Sequence, residues 1–205
     1  MIKRQHYLNQ IINLIDKNII KILTGVRRSG KSVLLQQVID YLKDSGIKEE
    51  NIIFIDLESP EFLIYNTIDD LNEYIKSRSN KTDKFYLFFD EIQRIEGWQR
   101  LVNAYFSLNN FDVYVAASNS KLLSGKFATY LTGRYINIKV FPFSFSEYLE
   151  CNNTSKKELF INYLKFGGIP SSFEFNNKTQ YLNDLFDSIV FKDIIKRFEI
   201  KMLIC

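Results

Sequence analysis

No run of about 18 apolar residues occurs in the 205-residue sequence, which excludes a helix spanning a bilayer. A dominant charge sign is missing too. The 27 Lys and Arg against 24 Asp and Glu leave a net charge of +3, too weak to argue for nucleic acid by itself. Cysteine is scarce: Cys151 and Cys205 lie far apart with no metal-ligand spacing, so reduced thiols in a cytoplasmic protein are expected. The 12 Tyr and 18 Phe do not form the basic–aromatic mix of a single-strand binder. His6, the one histidine, reads as a surface or helix-end residue rather than a ligand. Neither an internal repeat nor a low-complexity linker is evident. Near the start, Lys3, Arg4 and His6 precede Leu8, Ile11, Ile12 and Ile15, but Asn9, Gln10, Asn13 and Asp16 interrupt any signal-peptide core. That spacing predicts an amphipathic helix beside the first strand.

What is present is compact and specific. Residues 25 to 32 read Gly25-Val26-Arg27-Arg28-Ser29-Gly30-Lys31-Ser32, the full G-x-x-x-x-G-K-[ST] pattern. Two glycines let the backbone turn several N–H groups onto one anion. Lys31 adds a point charge for β and γ phosphates, and the Ser32 hydroxyl can ligate Mg²⁺. The context is the required one. Ile19, Ile20, Ile22 and Leu23 read as a buried strand entering the loop, and Val33, Leu34, Leu35, Val38, Ile39 and Leu42 follow at helical spacing up to Gly46. A helix N-terminus under the loop adds partial positive charge. A nucleoside triphosphate is the expected ligand. No guanine-reading N-K-x-D pattern occurs, which tilts the expectation towards ATP.

Further along, Ile52–Ile55 reads as a second buried strand, residues 68–79 as a surface helix, and Phe85–Phe89 as a third strand wanting cover on both faces. Trp98, Leu101, Val102, Tyr105 and Phe106 share a helical face, Val113–Ala117 makes a fourth strand, and Tyr135–Val140 a fifth. Alternating strands and helices predict an α/β domain with a doubly wound parallel sheet over residues 1–142. After Pro142 only helices are predicted: a turn or two at 144–149, a helix opened by Ser155 and stopped by Gly167-Gly168, and a long one marked by Leu182 to Ile195. Residues 143–205 are therefore expected to form a C-terminal helical lid.

Ligands of such sheets bind at the carboxyl ends of strands, where Gly25, Asp90 and Ser118 all fall. Asp90 and Glu91 read as the Mg²⁺ partner and the base that orients an attacking water, or as an acidic pair starting a helix. Ser118 and Asn119 read as γ-phosphate sensors, with Asn119 ahead, or as a turn or helix cap. Arg134 reads as a stabiliser of γ-phosphate charge, in this subunit or a neighbouring one, or as an exposed ion pair. Arg27 and Arg28 read as solvated loop charges unless they touch nucleotide or partner, and Trp98 reads as core.

Together, residues 24–32, Phe89-Asp90-Glu91-Ile92-Gln93-Arg94 with Gly97-Trp98, 118–124, Leu131–Tyr135, 141–148, Gly167–Pro170 and Asp193–Arg197 resemble a family of archaeal and bacterial AAA+ ATPases. The resemblance implies an ASCE-type P-loop NTPase fold, the loop Gly25–Val33 around ATP, Ser32 and Asp90 on Mg²⁺, and Glu91 on the water. It also implies Asn119 as first sensor and Arg134 as arginine finger, the latter allowing a homo-oligomer with Arg134 acting in trans. Ala116-Ala117 stand where the family has Thr-Gly, and the family's uncharacterised C-terminal domain is expected to be cut short after Ile200–Cys205. The leading expectation is an ATPase domain driving conformational change on an unidentified protein or DNA partner, with no membrane partner. The alternative is an ATP-dependent conformational switch with little hydrolysis. A small-molecule kinase is disfavoured, because Asp90-Glu91 suits water activation.

Overall fold

The structure, a computed structural model, describes residues 2–118, 131, 133–151 and 155–189. These form two compact units: one of residues 3–26 and 30–140, the other of residues 2, 27–29 and those from Phe141 onward.

The first unit runs α1 (Gln5–Ile12), β1 (Ile20–Thr24), α2 (Lys31–Asp44), β2 (Ile52–Asp56), α3 (Ile68–Arg78), β3 (Phe85–Asp90), α4 (Trp98–Phe106), β4 (Phe111–Ala117) and β5 (Tyr135–Lys139). The strands lie in the order β2-β3-β4-β1-β5, and every neighbouring pair is parallel. Parallel strands need crossovers, and the intervening helices supply them on both faces. β1, β3 and β4 are buried along their whole length, as predominantly apolar central strands should be, with Lys21 in β1 and Asp112 in β4 buried too. β2 departs from the expectation of a fully buried strand: only Ile53 and Ile55 are buried. Its place at the sheet edge is the reason, since an edge strand has a neighbour on one side only. β5, the other edge, buries just Ile138.

Alternation along the central strands sorts their side chains into two cores. Ile22, Leu87, Phe89, Val113 and Val115 pack with Leu71 and Ile75 of α3 and Trp98, Leu101, Val102 and Tyr105 of α4. Leu23, Phe88, Tyr114 and Ala116 pack with Leu8 and Ile11 of α1 and Leu34, Leu35, Val38 and Leu42 of α2. Each such large side chain contributes about 1.5–3 kcal/mol when fully buried, and Trp98 is core as expected. The Phe88 and Tyr114 rings stack at 4.3 Å, tying β3 to β4. The amphipathic N-terminal helix forms as anticipated but ends at Ile12, and His6 is exposed on it. In α3 the Thr67 hydroxyl accepts from the Asp70 amide at 3.1 Å while the Asp70 carboxylate accepts from the Thr67 amide at 2.9 Å. This reciprocal cap starts the helix at Ile68.

The second unit contains α5 (Phe145–Glu150), α6 (Lys156–Phe166), a 3-10 turn over Pro170–Glu174 and α7 (Lys178–Ile189), with no strand among its described residues. Ser144 and Glu147 cap α5 reciprocally, and the Ser155 hydroxyl accepts from the Glu158 amide at 3.4 Å to open α6. α6 stops at Phe166, with Gly167 at φ +68°. Gly168 accepts a hydrogen bond from the Phe143 amide at 2.7 Å, and a Cβ there would sit 2.0 Å from the Phe143 carbonyl oxygen. Only glycine fits. α7 begins at Lys178, earlier than the apolar pattern suggested, and the residues from 190 to 195 placed on that helix lie outside the described ones.

One polar assembly lies inside the apolar sheet. Lys21 of β1 is fully buried, and its ammonium donates to Asp112 of β4 and to the Lys17 carbonyl at 3.1 Å. Asp112 also accepts from the Tyr114 hydroxyl at 2.7 Å and from the Asp16 amide at 2.9 Å. Burial pulls the Lys21 pKa down, with Asp112 opposing that shift, and burial pushes the Tyr114 hydroxyl up. Truncating one partner of such a pair strands the other charge without a counter-ion. Asp112→Ala should therefore cost about 3–5 kcal/mol in urea unfolding. The apolar double replacement Lys21→Met with Asp112→Leu should cost less than the single change. A single variant as stable as the parent would contradict the role given to this pair.

Candidate functional site

The carboxyl ends of β1, β3 and β4 assemble the site, and strand order decides which side chains meet there. β1 runs into Gly25, and the chain turns through residues 25–30 into α2 at Lys31. Arg28 and Gly30 both take left-handed backbone, at φ +60° and +92°. Gly30 adopts it at no steric cost, and it caps α2 through the bond from the Leu34 amide to its carbonyl at 3.0 Å. No side chain caps the α2 N-terminus, and no acidic residue occupies its first turn. Its amides and the positive end of its dipole are thus left to an anion.

Lys31 is 4% exposed despite its charge. Its ammonium donates to the carbonyl oxygens of Gly25 and Val26 at 3.2 and 3.1 Å, lying across the inside of the loop. Val26, Ser32 and Val33 are exposed, Gly25 and Gly30 are half-buried, and Ser29 is buried. Arg28 is exposed, as a solvated loop charge should be, whereas Arg27 is half-buried and so departs from that default.

Asp90 ends β3 and is 2% exposed. Burial pushes its carboxyl up to about 6, the Ser32 hydroxyl bonded to it pulls back, and the nearby carboxylates of Glu91 and Asp56 raise it further. Asp56 stands directly beside it on β2. A buried carboxylate flanked by two more is electrostatically unfavourable until a cation enters.

Glu91 follows in left-handed conformation at φ +51°, opening a single 3-10 turn over Ile92–Arg94. It stands at the N-cap of this turn, with no side-chain capping bond. The Glu91 amide donates to the Ala116 carbonyl of β4 and to Asp90 Oδ1, both at 3.0 Å. Its carboxylate accepts from the Ser118 hydroxyl at 2.6 Å and from the Gln93 amide. Gln93 carried no functional reading in the sequence. Its signal was only its place two residues after Glu91, which brings a side chain back across a tight turn.

Lys31, Ser32, Asp90, Glu91 and Ser118 thus come together at one edge of the sheet. Asn119 lies outside the described residues. Arg134 is not brought to this edge. It precedes β5, its carbonyl accepts from the Ile20 amide at 2.8 Å, and its guanidinium donates to Asn103 Oδ1 at 2.7 Å. The start of a parallel strand lies opposite its end. Five residues of β1, at about 3.3 Å each, separate Arg134 from the phosphate loop of its own chain.

A family model described as an AAA domain matches residues 17–149. The chain belongs to the AAA domain family. An uncharacterised protein of Haemophilus influenzae is 42% identical over 98% of this chain and 52% of its own length. An uncharacterised protein of Methanocaldococcus jannaschii is 33% identical over 97% of this chain and 47% of its own. The chain spans about half the length of these curated relatives. Among solved structures, the Walker-type ATPase PABY2304 of Pyrococcus abyssi superposes with a TM-score of 0.66 at 16% identity, over 97% of this chain and 76% of that one. The ORC1 protein of Aeropyrum pernix, solved with DNA, gives 0.52 at 10% identity, over 73% and 48%. At these identities the structures bear on fold alone: a P-loop NTPase α/β fold, in a chain of the nucleotide-binding ATPase family. No helix among the described residues is long and apolar enough to cross a membrane.

AAA domains imply Mg²⁺, and the residues present fit it. The donors are all oxygens, Asp90 has an electrostatic need for a cation, and Ser32 already points its hydroxyl at that carboxylate. No group of three or more His, Cys, Asp or Glu among the described residues could cage a metal. That suits an ion held by one or two side chains with substrate phosphates and water. Asp90→Asn keeps the shape and removes the charge. Its affinity for a fluorescent ATP analogue should be the same with Mg²⁺ as with EDTA, whereas the parent should bind about tenfold more tightly with Mg²⁺. Equal Mg²⁺ stimulation of both would take Asp90 out of the metal site.

Proposed function

We propose that this AAA domain binds Mg·ATP and hydrolyses it, coupling the cycle to conformational change on a protein or DNA partner. The observation that carries this reading is the convergence of Lys31, Ser32, Asp90 and Glu91 at one sheet edge, beside an uncapped helix N-terminus. The loop amides of 25–33 and the Lys31 ammonium hold the β and γ phosphates, exchanging the Gly25 and Val26 carbonyls for phosphate oxygens. Ser32 and Asp90 hold Mg²⁺, which when bound neutralises charge on those oxygens. Glu91 accepts the proton of the attacking water, and Asn119 reports on the γ phosphate. Most of the rate enhancement comes from charge already in place rather than from covalent chemistry. Residues 1–142 form the ATPase domain in this reading and residues 143–205 the helical lid.

Lys31→Ala should lose tight ATP binding in a calorimetric titration, while Glu91→Gln should bind ATP like the parent and release phosphate at least a hundredfold more slowly, about the contribution of a general base. Unchanged affinity in the first variant, or parental turnover in the second, would defeat the corresponding assignment. A parent that binds tightly yet releases no phosphate would favour a nucleotide-dependent switch.

Arg134, exposed and remote from its own phosphate loop, acts in this reading from a neighbouring copy. Arg134→Ala should then bind ATP normally but turn over slowly. Mixing it with Lys31→Ala should restore phosphate release, because mixed assemblies pair an intact loop with an intact arginine. Mixtures no more active than the sum of their parts would exclude the trans role.

A further inference from the structure

Glu91 is a restrained carboxylate, and the restraint is one-sided. Ser118 Oγ, just beyond β4, donates to Glu91 Oε2 at 2.6 Å, and Gln93 Nε2 donates to the same oxygen. Gln93 Nε2 also reaches Ser118 Oγ at 3.4 Å. Two donors from two different segments therefore hold one oxygen, and among the described residues no donor reaches Glu91 Oε1. The orientation of the Gln93 amide follows from chemistry: a carboxylate only accepts, so the NH₂ side must face it. This turns Gln93 Oε1 the other way, where it is buried with no hydrogen-bond partner among the described residues. A buried acceptor left unsatisfied costs about 1–3 kcal/mol, so stability does not explain a glutamine here. The left-handed backbone of Glu91 is a further local cost that the surrounding contacts must sustain.

We propose that Gln93 and Ser118 are positioning residues for Glu91. They pin Oε2 so that Oε1 is the oxygen presented to the attacking water. A glutamate side chain that sampled its rotamers freely would spend little of its time in the one orientation that can take the proton, and fixing it beforehand removes that entropic loss from the barrier. The anchoring is economical in chain terms. Gln93 comes from the turn that Glu91 itself opens, and Ser118 comes from the strand whose Ala116 carbonyl already receives the Glu91 amide. The inference rests on the reading of Glu91 as the base.

The test measures steady-state and single-turnover phosphate release from Mg·ATP by the full chain, alongside urea unfolding. Gln93→Leu and Ser118→Ala should each lower kcat about tenfold, with KM for ATP within about twofold of the parent and the unfolding midpoint unchanged. Ser118→Thr, which keeps the hydroxyl, should retain parental kcat. In a Glu91→Gln background, Gln93→Leu should change the residual rate less than about twofold, since the group it orients is gone. Parental or raised kcat in both single variants overturns the proposal. So does an undiminished effect of Gln93→Leu in the Glu91→Gln background, which would show a merely structural role. If Glu91→Gln itself turns over like the parent, the base assignment falls. If Glu91→Gln is inactive while Gln93→Leu and Ser118→Ala are parental, only the clamp falls. No single-turnover hydrolysis by the parent chain overturns both.

Discussion

Burying the Asp90 carboxylate beside Asp56 and Glu91 creates an electrostatic demand around which the whole carboxyl edge of the sheet is organised. Little solvent surface is left to meet that demand, because β3 is covered on both faces and its last residue shares the cover. The protein's own offsets are the Ser32 hydroxyl and the charge of Lys31, and they leave the carboxyl pushed up to about 6. Lys31 is a nearly buried ammonium held by the Gly25 and Val26 carbonyl oxygens. In the proposed reading a magnesium–triphosphate complex would offer a cation to Asp90 and anions to Lys31 and the α2 amides.

The opposite edge of the sheet handles buried charge in another way. There Lys21 and Asp112 are paired, and the remaining acceptors of Asp112 are filled by Tyr114 and the Asp16 amide. Everything is satisfied internally, so that edge has a structural character. The contrast shows why the same fold carries chemistry at one end only. Parallel strands end together, loops at their carboxyl ends can open towards a ligand, and polar residues left incompletely paired there remain available to it.

Inserting β4 between β1 and β3 has a mechanistic consequence for this AAA domain. The strand separates the phosphate loop from Asp90, and its end supplies Ser118 to Glu91. Three strand ends, rather than two, therefore converge at the candidate site. Nothing local to residues 90–94 discloses this, because the partner comes from 27 residues away.

Much of the architecture was legible because its signals are local. The predominantly apolar strands β1, β3 and β4 favour burial on both faces, the glycine pattern at 25–30 favours a tight turn onto an anion, and Ser155 and Gly167 mark helix ends by capping chemistry. β2 was misread as fully buried because its composition matches a central strand, and only strand order placed it at the edge. The sequence alone determined the glycine loop and the acidic pair, since these depend on bond geometry and on charge within a few residues. Tertiary structure alone decided that Arg134 faces away from its own loop, that Glu91 is held by Ser118 and Gln93, and that Lys21 finds Asp112. Each of these depends on which strands lie side by side, and hydrophobic patterning fixes a strand's faces without specifying its neighbours.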